Sequence, residues 1–264
     1  MRDLPCLARF AASAALTVSL AVSLAGCKTM GMADVTGSLG SRNEAAADPN
    51  RVVEIAGDRY RSRPNDPDAA IAYGNALRAI GQRAQAVAVL EKASLASPSN
   101  KAVRAAYGRA LADNGNFQLA FDTLSRAHSP DNPDWRILSV QGTVLDQMGR
   151  NEEARRYYAS ALRLAPDEPS VLSNLGMSYV LTKELPKAED TLRRAYASGR
   201  ADSRVRQNLA LVIGLQGRYA EAESIVRADL PPDEAAANVA YLKEMVSGHD
   251  AARAAGRGVL ASGR

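Results

Sequence analysis

The chain has 264 residues, of which 46% are hydrophobic, and this length is sufficient for one large folded domain or two ordinary ones. Alanine dominates the hydrophobic class and aromatic residues make up only 5%, a composition that favours closely packed helices over a sheet. The formal net charge of +4 is small, and basic and acidic residues are interleaved along the chain, so nucleic acid is not an expected partner.

The N-terminal region is typical of a bacterial secretory leader. Arg2 and Arg9 form a positive segment, and residues 10–25 form an apolar run that is shorter than the roughly 20 residues of a membrane-spanning helix. The next motif, Leu-Ala-Gly-Cys at residues 24–27, resembles the bacterial lipobox, in which the cysteine receives a diacylglycerol. We therefore predict a signal peptide at residues 1–26 and lipidation of Cys27; the alternatives are an ordinary leader cleaved elsewhere and a retained anchor.

The residues around the predicted cleavage site bear on location and redox state. Cys6 lies inside the leader, so the mature chain would keep Cys27 alone and form no disulfide. Lys28 stands where the inner-membrane retention signal of many Gram-negative bacteria has aspartate, which favours the outer membrane, with the protein facing the periplasm. Residues 27–50 show no sustained apolar period and predict a flexible tether. A helical spacing over residues 51–66 predicts an N-terminal capping helix.

The sequence then repeats itself every 34 residues, in the five blocks 67–100, 101–134, 135–168, 169–202 and 203–236. The eighth position of the blocks is small: Gly74, Gly108, Gly142, Gly176 and Ala210. The twentieth is always alanine, and the twenty-fourth is bulky: Leu90, Leu124, Tyr158, Leu192 and Val226. Small residues allow the two helices of a hairpin to approach closely, while a turn glycine ends the first helix, except in the fourth block, which has Lys183. Because one hairpin cannot bury its apolar face alone, the hairpins are expected to stack.

A last helix is predicted after the repeats. Asp233 can cap it, Gly248 is expected to end it, and it would cover the final hairpin as a capping helix whose remainder is residues 237–248. Residues 249–264 are rich in Gly, Ala and Arg, and we expect them to be frayed.

The aligned repeat positions resemble those of the tetratricopeptide repeat family. The resemblance implies an all-α superhelix of antiparallel helix hairpins, an α-solenoid, with a C-terminal capping helix. It also implies that partner proteins bind a concave groove lined by the first helix of each hairpin. The corresponding positions in this chain include Asn75, Arg78, Arg109, Arg136, Thr143, Asp146, Met177, Val180, Arg204, Gln207 and Leu211.

This groove would be basic in one stretch and apolar in another, which suits an extended or helical peptide with acidic and hydrophobic side chains. For each of these residues the alternative is an ordinary solvated helix face. The two-carboxylate clamp of chaperone-binding repeat proteins is not expected, because Ile71, Ala106 and Val140 occupy its key positions although Asn75 fits.

No catalytic pattern is recognisable. The only histidines, His128 and His249, fall near predicted helix ends, and the mature chain would have neither a free thiol nor a Gly-rich phosphate loop nor a His/Glu pair at metal-ligand spacing. We therefore predict no enzymatic activity, cofactor, metal or small-molecule substrate. Trp135 is interpreted as a packing residue, with a role as a recognition anchor as the alternative.

A narrower resemblance comes from the lipobox, the repeats and the closing stretch together. Residues 229–232, Asp-Leu-Pro-Pro, and residues 235–242, Ala-Ala-Ala-Asn-Val-Ala-Tyr-Leu, make the chain similar to the TadD-type lipoproteins of the Flp, or tight-adherence, pilus machinery. This resemblance implies an outer-membrane lipoprotein that helps to assemble or localise the pilus secretin, in the manner of a pilotin. The alternative function is a lipid-anchored accessory subunit that activates a cell-wall enzyme, and neighbouring genes would distinguish the two.

Overall fold

The computed structural model describes the backbone of residues 48–261 and the side chains of residues 48–248. This part of the chain contains twelve α-helices and confirms the predicted all-α fold. The helices are α1 (Pro49–Ser62), α2 (Pro67–Ala79), α3 (Arg83–Ala96), α4 (Lys101–Asp113), α5 (Phe117–Ser125), α6 (Trp135–Gln147), α7 (Asn151–Leu164), α8 (Pro169–Leu181), α9 (Leu185–Ala197), α10 (Ser203–Leu215), α11 (Tyr219–Val226) and α12 (Pro232–Ala261). Among them, no helix combines the length and the apolar character that crossing a membrane requires. The predicted signal peptide, Cys27 and the tether as far as residue 47 lie outside the described residues.

Each of the five blocks forms one helix hairpin, and the first helix begins at the first residue of its block. In four of the five blocks, the residue just before that helix explains the start. The side chains of Asp66, Asn100, Asp134 and Asp202 all accept hydrogen bonds from backbone N–H groups of the first turn. Such caps satisfy amide groups that have no partner within the helix. A capping residue therefore sets the start of four of the five hairpins, whereas Glu168 before the fourth hairpin makes no such side-chain bond.

The turn between the two helices has the same backbone conformation in every block. Four of the turns use a glycine with a φ between 74° and 85°. Lys183 occupies this position in the fourth block, and it adopts a φ of 63°. A non-glycine residue pays roughly 1–2 kcal/mol for this left-handed conformation. The packing of the fourth hairpin therefore imposes the turn even where the sequence lacks glycine.

Close packing inside each hairpin occurs where the sequence predicts it. A Cβ atom added to Gly142 would lie 2.5 Å from Cε1 of Tyr158, and one added to Gly74 would lie 2.6 Å from Cδ1 of Leu90. A Cβ atom added to Gly108 or Gly176 would likewise collide with a leucine side chain of the second helix. In each of these four blocks, the bulky residue at the twenty-fourth position thus directly covers the glycine at the eighth position.

The two end helices differ in extent from the predicted capping helices. Helix α1 starts at Pro49, earlier than predicted, because the Asp48 carboxylate accepts the N–H of Asn50 at 3.0 Å. Helix α12 does not end at Gly248 but continues to Ala261. Gly248 does not adopt the positive φ of a terminating glycine, and the following segment is rich in alanine, the best helix former. The expected frayed tail is therefore helical as far as residue 261.

We predict that Gly142→Ala lowers the free energy of unfolding by about 1–3 kcal/mol, because the added methyl group would collide with the Tyr158 ring. The loss would outweigh the gain in helix propensity, which is at most about 1 kcal/mol. Chemical denaturation followed by circular dichroism measures the change. Gly248→Ala is the matched control, since no atom lies within 4 Å of its added Cβ, and it should be neutral or slightly stabilising. Equal effects of the two substitutions would contradict the packing assignment.

Candidate functional site

The first helices of all five hairpins contribute to one groove of about 860 Å³. Its lining includes one residue from each: Arg78 of α2, Arg109 of α4, Thr143 of α6, Asn174 of α8 and Arg204 of α10. The first helices of five successive hairpins can surround a single groove only if the array curves around it. The groove is therefore the concave surface of the superhelix, and we call it the basic groove.

Positive charge predominates in the basic groove. Four arginines line it, Arg78, Arg83, Arg109 and Arg204, against the single carboxylate of Asp113. That carboxylate is already engaged, because it accepts a hydrogen bond from Nε of Arg78 at 2.6 Å. The other three arginine side chains make no hydrogen bond or ion pair with any residue from 48 to 248. The groove thus carries an excess of cationic donors over internal acceptors.

Arg109 is the most confined of these cations. Burial lowers the pKa of its guanidinium, and the neighbouring charges of Arg78 and Arg136 lower it further. The negative charge of Asp134 raises this pKa but does not cancel the decrease. A guanidinium nevertheless stays protonated in proteins. A carboxylate placed beside Arg109 would therefore replace lost hydration and offset the repulsion from the other arginines.

A second cavity of about 420 Å³ adjoins the basic groove and shares Arg109 with it. Its lining includes Trp135 and Arg136, and the Arg136 guanidinium lies 4.5 Å from the centroid of the Trp135 ring. Trp135 is half-buried and packs against the core of the third hairpin, in agreement with its interpretation as a packing residue. The exposed Arg136 is held over the indole face by a cation–π contact, which orients its charge beside that of Arg109.

Gln207 and Leu211 line a different cavity, of about 360 Å³, between α10, α11 and α12. The nine residues around it are uncharged: Gln207, Ala210, Leu211, Val226, Asn238, Val239, Tyr241, Leu242 and Met245. Tyr241 and Met245 are 66% and 55% exposed. We call this cavity the apolar cleft.

Not all of the predicted groove residues lie in these three cavities. Asn75 is exposed on α2, where its Oδ1 accepts a hydrogen bond from Nη1 of Arg78 at 3.2 Å. Met177 and Val180 are half-buried on α8 and line none of the three cavities. Arg78, Arg109, Arg136, Thr143 and Arg204 are brought together around the basic groove and the cavity beside it.

The prediction that Asp146 lies on the groove surface is wrong. Its side chain is buried, and it accepts hydrogen bonds from the hydroxyls of Tyr158 at 2.9 Å and Ser178 at 2.8 Å, and from Nδ2 of Asn151 at 2.8 Å. Burial and the negative charge of Asp146 raise the pKa of Tyr158. Because α7 and α8 both close over this part of α6, Asp146 joins three helices instead of facing a partner.

Asn174 lines the groove but was not among the predicted residues. Its Nδ2 donates to Oγ of Ser139 at 3.1 Å, and in the next pair of repeats Asn208 donates to Oγ of Ser173 at 2.9 Å. In both bonds the two residues are 35 positions apart in sequence. The asparagine is at the sixth position of its block, and the serine is at the fifth position of the preceding block. This recurring pair was visible in the sequence, but only the structure shows that it links neighbouring first helices.

Comparisons with known proteins agree with this architecture. A family profile described as Tetratricopeptide repeat matches residues 71–133 and 140–204, and another with the same description matches residues 203–228. The type IV pilus assembly protein PilF of Pseudomonas aeruginosa is 28% identical over 211 residues, which cover 79% of this chain and 75% of that protein. BBSome complex member BBS4 of Bos taurus is 25% identical over 142 residues, which are 54% of this chain and only 27% of that protein.

A solved structure of PilW, described as a widely conserved type IV pilus biogenesis factor, superimposes with a TM-score of 0.61 at 16% identity. The match covers 73% of this chain and 90% of that one. At this level of identity the likeness shows the fold alone.

We predict that Asp146→Ala lowers the free energy of unfolding by about 1–3 kcal/mol, because it leaves the buried Ser178 hydroxyl without its acceptor and Tyr158 with only the longer bond to Thr143. Denaturant titration measures the loss. Asp113→Ala provides the comparison, since its partly exposed ion pair with Arg78 contributes about 0–1 kcal/mol. A result in which Asp113→Ala costs more than Asp146→Ala would show that the Asp146 network is not a structural joint.

Proposed function

Because the chain belongs to the tetratricopeptide repeat family, we propose that it is a non-enzymatic, lipid-anchored protein that helps to assemble a pilus machine by binding partner proteins in its concave groove. The observation that carries this proposal is the basic groove itself. Five helices surround it, and three of its four arginines have no partner among the described residues. A surface of this kind is suited to an acidic segment of another protein.

The similarity to PilF, at 28% identity over 79% of this chain, supports the choice of a pilus machine over other assemblies. The name of that protein places it in type IV pilus assembly. The closing stretch at residues 229–242, which resembles TadD-type lipoproteins, narrows the proposal to the Flp pilus. In that setting the partner is the secretin or another pilus component, and the protein acts in the manner of a pilotin.

The lipobox at residues 24–27 supports the proposed location. Lipidation of Cys27 would anchor the chain, and Lys28 after it favours the outer membrane, with the repeats in the periplasm. The first described helix begins at Pro49, so 21 residues, 28–48, separate the lipidated cysteine from the folded repeats. The anchor and the groove are therefore proposed as separate functional parts.

We expect Arg109→Glu combined with Arg136→Glu to abolish surface pili and to make secretin multimers scarce in outer-membrane fractions. One exposed ion pair contributes only about 0–1 kcal/mol, but two reversed charges replace attraction by repulsion and should lower partner affinity roughly a hundredfold. Electron microscopy and gels of membrane fractions give the readouts. Normal pili and multimers, with the variant present at its usual level, would exclude the basic groove as the binding surface.

The matched control is Arg156→Glu combined with Arg163→Glu, which reverses two exposed arginines on the second helix α7. It changes the net charge equally and should leave pili normal. Deletion of the whole gene tests the pilus assignment separately, since a deletion strain with normal pili would refute it.

We expect Cys27→Ser to yield a folded protein that no longer fractionates with outer membranes, because the lipid would be missing. Membrane fractionation and immunoblotting test this directly. Cys6→Ser is the control, since it changes a cysteine inside the predicted leader and should leave anchoring intact. Retention of the Cys27→Ser protein in outer membranes would contradict the proposed anchor.

A further inference from the structure

We infer that the basic groove and the apolar cleft are two halves of one docking surface. The occupant is a single extended segment of a partner protein that carries acidic residues and, about 10 Å further along, one bulky apolar side chain. This inference rests on the proposed function and adds the chemistry of the bound segment.

Helix α10 connects the two halves. Arg204 lines the basic groove, whereas Gln207 and Leu211 line the apolar cleft. Positions three and seven residues apart share one face of a helix, so these three side chains form one row. At 1.5 Å per residue, the row from Arg204 to Leu211 is about 10 Å long. An extended segment covers this distance with about three residues, at about 3.3 Å each.

Helix α12 extends the concave surface beyond the last hairpin. It packs against α10 and α11 as α10 packs against α8 and α9, and so it takes the place of the first helix of a sixth repeat. Gly214 of α10 permits this approach, because a Cβ atom there would collide with Cδ2 of Leu242. The apolar cleft is therefore the continuation of the groove and not a separate pocket on the outer surface.

Large apolar side chains in the cleft are left exposed. Tyr241 and Met245 are four residues apart, on one face of α12, and more than half of each side chain is accessible to solvent. An exposed apolar surface beside a partner groove is typical of an interaction site, and methionine adapts well to bound side chains. Without a charged side chain in its lining, the cleft is suited to an apolar group of the partner.

The charges of the basic groove determine which other side chains the bound segment carries besides that apolar group. Four arginines face one carboxylate, and the confined Arg109 makes no ion pair with any residue from 48 to 248. A segment that was apolar throughout would leave these cations buried without a counter-charge, which is unfavourable. Charge complementarity therefore favours an occupant with acidic residues on the side of Arg109 and Arg204.

Two synthetic peptides test this arrangement on the full-length protein in detergent micelles, by fluorescence anisotropy. The first contains three consecutive acidic residues, two serines and a phenylalanine; the second has serine in place of the phenylalanine. Because burial of a phenylalanine side chain is favourable, the first peptide should bind at least about tenfold more tightly. Binding to micelles alone is measured and subtracted.

Variants locate the two contacts. Tyr241→Ser combined with Met245→Ser should reduce the advantage of the phenylalanine peptide to less than about twofold and leave the affinity of the serine peptide unchanged. Arg204→Ser should weaken both peptides, by roughly twofold to fivefold. Leu95→Ser combined with Leu119→Ser removes two exposed apolar side chains of the second helices α3 and α5 and should leave both affinities unchanged.

Equal affinities of the two peptides, or an advantage of phenylalanine that survives in the Tyr241→Ser and Met245→Ser variant, would overturn the bipartite site. In those cases the binding of acidic segments in the basic groove would still stand. If neither peptide bound, the bipartite site and the acidic partner of the proposed function would both be wrong, whereas the pilus assignment would still be decided by the gene deletion.

Discussion

The contact between an eighth-position glycine and the bulky residue sixteen positions later determines how each of the first four hairpins closes. At Gly74, Gly108, Gly142 and Gly176 there is no room for a Cβ atom beneath the covering leucine or tyrosine. In the fifth hairpin the corresponding pair is Ala210 and Val226, so a larger residue on one helix faces a smaller one on the other. Since the five hairpins close in the same way, stacking them produces a regular superhelix with its first helices around one groove.

Polar contacts then fix the third hairpin to the fourth and the fourth to the fifth. Asp146 ties α6 to α7 and α8, and the Asn174–Ser139 and Asn208–Ser173 bonds connect successive first helices. These groups are buried or half-buried, and each would be costly to leave without a partner. They therefore favour one relative orientation of neighbouring hairpins, and this orientation sets the curvature on which the groove depends.

Charge is distributed differently on the two surfaces of the superhelix. The second helices and the residues just before them carry networks in which arginines are matched by carboxylates, such as Arg155 with Glu184 and Arg218 with Glu189 and Glu221. Hydrogen bonds from Lys187, Arg155 and Thr182 hold the pKa of Glu184 at about 2, far below its usual value. The basic groove has an excess of arginines instead. A small net charge for the whole chain thus conceals a local surplus of positive charge where a partner is proposed to bind.

The 34-residue period by itself determined the fold, the start of each hairpin and the close contact at Gly142, because these depend on spacing along one helix or between two adjacent helices. Only the tertiary structure decided which neighbour covers a given face. Asp146 and Thr143 both fall on the predicted inner face of α6, yet Asp146 is enclosed by α7 and α8 and Thr143 is exposed. The left-handed turn at Lys183 and the extension of α12 to Ala261 were likewise not predictable from single residues. A repeat pattern specifies the direction in which a side chain points, whereas its burial depends on the separation and tilt of helices that are distant in sequence.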